Sequence, residues 1–433
     1  MNFICDNINK NDADHLTFAG LDTVELAKEY GTPLYLLDTD RIREKCRLYI
    51  SSLKKHFGDN VLPLYASKAL SFVGIYRILK EENMGIDVVS GGEFYSALKA
   101  GYPADKIYFH GNNKTDAEIK YTIDNGIGCI VVDNLYELDV IDEYCEQTGK
   151  KQKILLRVSP GIDPHTFKAV VTGSVDSKFG IAIETGQAEA ATVEILKKKN
   201  IDFYGYHCHI GSQIFDSIPF YDAAKIMTSF IADIQHKFGF ITRELNLGGG
   251  IGVRYVDSQP DLDIDIILGE IAEHVKATCN AAGIEMPKIL IEPGRSIVAD
   301  SGMTLYTAGG LKEISGYKKY LPIDGGMSDN PRYALYQSEY TVYNASRIEE
   351  KATTVCDVVG KCCESGDIIQ ENVSIATPQK GDIIAVCTTG AYNYSMASNY
   401  NRIPRPPIIG ISNNTAQVLV KRESYEDLTS NEI

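Results

Sequence analysis

"VLPLYASKALSFVGIYRILKEEN", residues 61–83, runs from a short apolar stretch through a tight turn into a helical pattern. The first six residues are apolar and partly β-branched, the composition of a buried strand. Beyond the turn, Phe72, Ile75, Ile78 and Leu79 recur at helical spacing. Between the two stands Lys68, an ammonium group at the hand-over from strand to helix.

The same unit recurs along the chain. "GIDVVS" (85–90), "KIYFHG" (106–111), "GCIVVD" (128–133), "KILLRVS" (153–159), "FYGYHCHIG" (203–211), "ELNLGG" (244–249) and "KILIEPG" (288–294) are further strand candidates. Amphipathic stretches such as "GEFYSALKAG", "LYELDVIDEYCEQTG" and "QAEAATVEILKKKN" lie between them. Eight such alternations predict an α/β fold, a (β/α)8 TIM barrel over residues 38–300, with its functional rim at the C-terminal strand ends. From about residue 300 the texture changes to strand-like pieces punctuated by Gly and Asp, such as "KATTVCDVVG" and "DIIAVCTTG". The opening residues hold another strand candidate, "TPLYLLD". A second, all-β domain formed by residues 1–37 and 301–433 is expected, closed by both chain ends.

At 433 residues the chain exceeds one ordinary core, which agrees with a large barrel plus a second domain. The formal charge of -15 argues against nucleic acid or an anionic membrane as partner, because the general field repels both. No apolar run reaches membrane-spanning length, and "MNFICDNINKNDADHL" lacks the pattern of a secretory signal. The ten cysteines show neither disulfide-framework nor metal-site spacing, so a cytoplasmic protein with reduced thiols and no metal is expected.

The strand ends carry the chemistry. Lys68 reads as a stem snorkelling over the rim, or as an amine that traps a carbonyl as a Schiff base. His209, in "HCHIGSQ" (207–213), reads as a satisfied rim histidine or as a flat imidazole stacked on a flat ligand; Cys208 alternates away into the core. Ser212 follows in a glycine turn suited to a phosphate. "LGGGIG" (247–252), with Gly249 and Gly250, offers close backbone approach and an anion nest where barrel phosphate sites often lie. Glu292, in "EPGR" (292–295), is costly at the end of an apolar strand unless it is paired. It either pairs with Arg295 or meets the protonated nitrogen of a pyridine, leaving Arg295 for a carboxylate or phosphate. A Schiff-base lysine, a stacking ring, a phosphate nest and a ring-nitrogen carboxylate together describe pyridoxal 5'-phosphate.

"YASKAL", "DVVSGGE", "TGSVDSKFG", "HIGSQ", "LGGGIG", "EPGR", "IDGGMSDNPRYALY", "CESGD" and "GAYNYSMASNYNRIPRP" resemble, in order, the motifs of the diaminopimelate decarboxylase family. These enzymes belong to the alanine-racemase-like group of pyridoxal-phosphate decarboxylases. The resemblance covers nearly the whole chain, and "DSKFG" with "CESGD" and "GAY…SMASNYN" is its most specific part. It implies decarboxylation of meso-2,6-diaminopimelate at its D-centre to L-lysine and CO2. Lys68 would carry the cofactor, His209 stack on its ring and Glu292 meet the pyridine nitrogen. Ser212, Gly249, Gly250 and Arg295 would surround the phosphate, with Arg295 also near substrate. Arg332 and Tyr336 would bind substrate, and Tyr392 would touch both cofactor and substrate. Cys363, the candidate proton donor, and Glu364 would come from the other subunit of a homodimer.

A substrate with an ammonium and a carboxylate at each end needs a distal cation and a distal anion, for which Arg332 and Glu364 are suited. Ornithine, arginine and carboxynorspermidine decarboxylases are the neighbouring alternatives, and a non-catalytic cofactor-binding barrel is a third. The retained arginine and the long β domain argue against both. Leu70, Lys361 and Asn393 depart from the family's commoner Asn, Pro and Gly, which bears on loop geometry rather than on the reaction.

Overall fold

The structure, a computed structural model, describes residues 3–162 and 176–433. It divides into two compact units, one of Lys45–Gly252 with Leu262–Ser296, the other of Met1–Glu44, Val253–Asp261 and Ile297–Ile433.

In the first unit the apolar runs become eight parallel strands. They are β1 Val61–Ala66, β2 Gly85–Val88, β3 Ile107–Phe109, β4 Cys129–Val132, β5 Gln152–Ser159, β6 Ile201–His207, β7 Glu244–Asn246 and β8 Lys288–Ile291. β8 pairs with β1 and β4 with β5, so the sheet closes into a barrel. The intervening helices start and stop where their sequence dictates. Ser90 and Asn134 accept from the backbone of Glu93 and Glu137, and Thr115 forms a capping box with Glu118. The helix Val73–Glu81 turns Ile75, Tyr76, Ile78 and Leu79 onto the barrel.

The barrel interior is layered, because alternate residues of a strand share a face. Leu64, Tyr108, Cys129, Val131, Leu155 and Leu290 form an apolar layer. On its N-terminal side Lys153 bonds Glu244 at 2.7 Å and the Tyr108 hydroxyl at 3.0 Å. Two residues further along the strands, on the same inward face, come His110, Asp133, Arg157 and Glu292. On β3, β4, β5 and β8 the inward series thus ends in a polar side chain at the C-terminal rim, while β1 ends in Ala66.

The second unit contains a six-stranded sheet in the order Val342–Asn344, Ile383–Cys387, Gly302–Thr307, Leu34–Asp38, Ile408–Ser412, Thr415–Val420. The N-terminal strand Leu34–Asp38 lies in its middle, antiparallel to one neighbour and parallel to the other. A four-stranded sheet takes Lys312–Ile314, Lys318–Pro322, Thr354–Val359 and Ile368–Ile375, and a three-stranded one takes Ile8–Lys10, Leu16–Phe18 and Leu21–Asp22. The unit is not purely β. Thr23–Tyr30 is a helix, capped by Asp22, that buries Leu26 and Ala27.

The partition differs from the sequence-based bounds of 38–300. Residues 253–261 group with the β unit, where Thr341 Oγ1 donates to the Tyr255 carbonyl at 2.8 Å and the Tyr255 and Tyr340 rings meet edge to face at 5.5 Å. No helix among the described residues is long and apolar enough to cross a membrane.

Candidate active site

β1 ends in a single tight turn, Ser67–Ala69, in which Ser67 and Ala69 are buried while Lys68 is exposed. The turn follows from the need to bury the apolar residues on either side of the lysine. It leaves a primary amine at the C-terminal rim of the barrel. Leu70, in place of the commoner asparagine, is buried and accepts the Tyr65 hydroxyl on its carbonyl at 3.0 Å.

β8 brings Glu292 to the same rim, buried among polar partners. Asn246 Nδ2 donates to its Oε1 at 2.7 Å, His207 Nε2 lies 3.2 Å from Oε2, and His110 Nε2 lies 2.9 Å from Oε1. Burial pushes the Glu292 carboxyl up, but the two imidazoles override this and hold it well below the usual carboxylate range. Burial pushes His207 down to about 4 despite the nearby carboxylate, so its contribution at neutral pH is a neutral N–H. Asp87 is driven up to about 6 by burial and by the charge of Glu292, which makes it the weaker acid of the pair. Two carboxylates so close cannot both ionise freely, and the imidazoles decide for Glu292.

His209, half-buried, accepts the Gly249 N–H on Nδ1 at 3.2 Å, and burial together with Lys68 and Arg157 holds its imidazole neutral. Ser212 Oγ accepts from Arg295 Nε at 3.2 Å and Nη2 at 3.0 Å. The glycines between these residues serve the fold first. A Cβ on Gly249 would overlap the Glu292 carbonyl, and Gly250, at φ +123, would meet the Gly211 carbonyl at 2.5 Å. The expected reason, close approach to a ligand, is therefore joined by a nearer one: the β6, β7 and β8 ends touch each other's backbone here.

The "DSKFG" part of the strand-5 loop is docked by Gly180 N–H on Asp133 Oδ1 at 3.1 Å and by Phe179, whose ring centroid is 4.4 Å from the Arg157 guanidinium carbon. "TGSV" (172–175), its first half, lies outside the described residues.

Within the β unit, Arg332 opens the short helix Arg332–Tyr336 and is buried. Its guanidinium lies 5.5 Å from the Tyr336 ring centroid and 5.4 Å from that of Tyr392, and Nη2 donates to Ser338 Oγ at 3.2 Å. Tyr392 has a left-handed backbone, φ 62. Asn393, which departs from the family glycine, is fully buried and donates to the Thr389 carbonyl at 3.0 Å and to the Tyr340 hydroxyl at 3.3 Å. Cys363 and Glu364 are exposed on a turn where the Cys363 N–H donates to Asn401 Oδ1 at 2.7 Å; neighbouring Cys362 is buried.

Sequence reasoning missed Asp87, His110, Arg157, His207 and Asn246. The signal was present, a single polar residue inside or closing each apolar strand run, at a burial cost that only mutual pairing offsets.

Pyridoxal phosphate presents an aldehyde, a pyridine nitrogen and a phosphate, and the barrel unit has a group for each. These are the exposed Lys68 amine, the buried ionised Glu292, and Ser212 with Arg295 beside the 248–250 turn. Asp87 Oδ1 and His207 Nδ1 are buried there with no hydrogen-bond partner among the described residues, which suits a cluster built to meet a further polar group. The residues fit the cofactor.

Residues 39–299 match the family described as "Pyridoxal-dependent decarboxylase, pyridoxal binding domain". Diaminopimelate decarboxylase of Bacillus subtilis (strain 168) is 44% identical over 429 residues, 98% of this chain and 97% of that protein. The chain belongs to the diaminopimelate decarboxylase family. The family's cofactor is pyridoxal phosphate, and the closed parallel barrel with separate β sheets is its fold. A crystal structure of diaminopimelate decarboxylase from M. jannaschii in complex with L-lysine superposes with TM-score 0.92 at 32% identity, covering 100% of this chain and 99% of that one. The lysine/ornithine decarboxylase of Vibrio vulnificus, complexed with putrescine, gives TM-score 0.76 at 26% identity, covering 90% and 98%.

Proposed function

We propose that this enzyme removes CO2 from the D-centre of meso-2,6-diaminopimelate to give L-lysine, the last step of lysine biosynthesis, as a cytoplasmic homodimer. The observation that carries the substrate reading is Arg332, a buried guanidinium flanked by the Tyr336 and Tyr392 rings. A diamine-forming decarboxylase has no second carboxylate to bind and no need of such a cation. All ten cysteines are free thiols, which supports the reducing compartment.

When bound, pyridoxal phosphate supplies the electron sink for the carbanion left by CO2. Lys68 presents its amine to the aldehyde. Glu292, held anionic by its neighbours, keeps a proton at the pyridine nitrogen. His209 covers the ring as a neutral imidazole, and Ser212, Gly249, Gly250 and Arg295 hold the phosphate. Arg332 takes the distal carboxylate with Tyr336 beside it, and Glu364 the distal ammonium. Tyr392 would touch both cofactor and substrate. Cys363 delivers a proton to the carbon that lost CO2. The exposure of Cys363 and Glu364 supports their serving the other subunit's site.

Arg332→Met tests the substrate assignment. Removing the cation leaves the distal carboxylate buried without a partner, and kcat/KM for meso-diaminopimelate should fall by at least about 100-fold. A fall of less than about 3-fold would remove Arg332 from substrate binding.

A further inference from the structure

Asp367 closes the "CESGD" turn, is buried, and spends its carboxylate on two separate segments of the β unit. Oδ1 accepts the Met327 N–H at 2.6 Å, and Oδ2 accepts the Cys362 N–H at 2.8 Å. Met327 belongs to the turn that leads directly into Arg332, while Cys362 adjoins Cys363 and Glu364. A backbone bond joins the same two turns, Lys361 N to the Gly325 carbonyl at 2.9 Å, and another closes the cysteine turn on itself, Gly360 N to the Asp367 carbonyl at 2.9 Å. The fit is close enough to exclude side chains. A Cβ on Gly326 or on Gly360 would overlap the Asp367 carboxylate. The Arg332 side of the junction is clamped again by Asp329, whose Oδ2 accepts the Gly326 N–H at 2.9 Å and whose Oδ1 accepts the Tyr306 hydroxyl at 2.5 Å.

A carboxylate that accepts one backbone N–H from each of two turns fixes their spacing, and glycine packing on either side leaves neither turn room to shift alone. The two turns carry different duties. Resting on the reading that Cys363 and Glu364 serve the other subunit, the Arg332 turn belongs to the chain's own site and the cysteine turn to its partner's. We propose that Asp367 is a positioning residue shared by both active sites of the dimer, holding the substrate arginine of one and the proton-donating turn of the other in a single rigid junction.

Hybrid dimers separate the two roles. Mixing Lys68→Ala with Cys363→Ala chains comes first. It restores about a quarter of wild-type activity if the turn acts across the dimer, because about half of the dimers are hybrids and each hybrid has one working site; no restoration means that the shared-site reading itself has failed. Pairing Asp367→Asn with Lys68→Ala then leaves one competent site whose Arg332 junction alone is altered. There KM for diaminopimelate should rise about 10-fold or more with kcat nearly kept. Pairing the double variant Lys68→Ala/Asp367→Asn with wild type leaves one competent site that receives only the altered turn. There kcat should fall about 10-fold or more. Asp367→Ala, which removes both acceptors and adds no volume, repeats each arm, and dimerisation is checked by light scattering. An effect confined to one hybrid, or a change below about 2-fold in both, overturns the proposal, as does loss of dimer in both variants, which would make Asp367 a structural residue only.

Discussion

Replacing His207 with phenylalanine separates the stability of the barrel core from the electrostatics of Glu292. The ring is fully buried and meets His110 edge to face at 4.7 Å and 70°, a packing that phenylalanine reproduces. What disappears is the 3.2 Å contact with Glu292 Oε2. A hydrogen bond to a charged group contributes about 1.5–3 kcal/mol, while His207 Nδ1, buried without a partner among the described residues, costs about 1–3 kcal/mol that phenylalanine relieves. The two nearly cancel, so the unfolding free energy should change by no more than about 2 kcal/mol. Glu292 bears the whole loss: its anion is worth about 1.5–3 kcal/mol less, and pyridoxal phosphate should bind about 10- to 100-fold more weakly. Because the carboxyl is now more easily protonated, the acid limb of the activity profile moves towards neutral pH. Urea denaturation gives the first quantity, and cofactor titration of the apoenzyme with a pH series gives the second. Unchanged cofactor affinity and an unchanged acid limb, in a folded variant, would refute the assignment of His207 to Glu292.

Lys114, buried, donates to the Gly111 carbonyl at 2.8 Å, to the Val131 carbonyl at 2.6 Å and to Glu137 at 3.0 Å. Lys114→Met strands the buried Glu137 and should cost about 3–5 kcal/mol by urea denaturation, whereas Lys114→Met/Glu137→Leu should recover most of it. Burial pushes Asp329 up to about 7 from 3.8, so the folded state holds a proton that the unfolded chain releases. That group makes the protein lose stability as pH rises from about 4 to about 7, and Asp329→Asn should flatten this part of the stability profile. If Cys363 and Glu364 act across the dimer, specific activity should vanish on dilution to monomer as followed by sedimentation; an active monomer would show that each chain completes its own site.

The eight strands were legible because parallel barrel strands are buried on both faces and read as unbroken apolar runs. Six of the eight strands fall within the segments that the sequence singles out, β5 and β6 begin one and two residues before theirs, and Cys208 is core, as its alternation with His209 requires. Lys68, Glu292 and Arg295 stood out because they sit at strand ends, where a charge interrupts the pattern visibly. Asp87, Arg157 and Asn246 did not, since one polar residue inside an apolar run barely alters its average. Their reason for being there is one another, through pairings between strands far apart in sequence. The glycines of "LGGGIG" were recognised for a ligand, yet their missing side chains are also demanded by neighbouring backbone, a constraint visible only when β6, β7 and β8 are side by side. In the β unit, Ile368–Ile375, Ile408–Ser412 and Thr415–Val420 went unread, as did the helix Thr23–Tyr30, because short strands mixed with polar residues give weak period-two signals.

The most direct test is product formation by the purified protein with pyridoxal phosphate, with meso-diaminopimelate, L-ornithine and L-arginine offered in parallel. The account predicts L-lysine and CO2 from the first and no diamine from the others. Putrescine or agmatine without any lysine would contradict it, keeping the barrel and cofactor site but removing Arg332 as the reader of a second carboxylate.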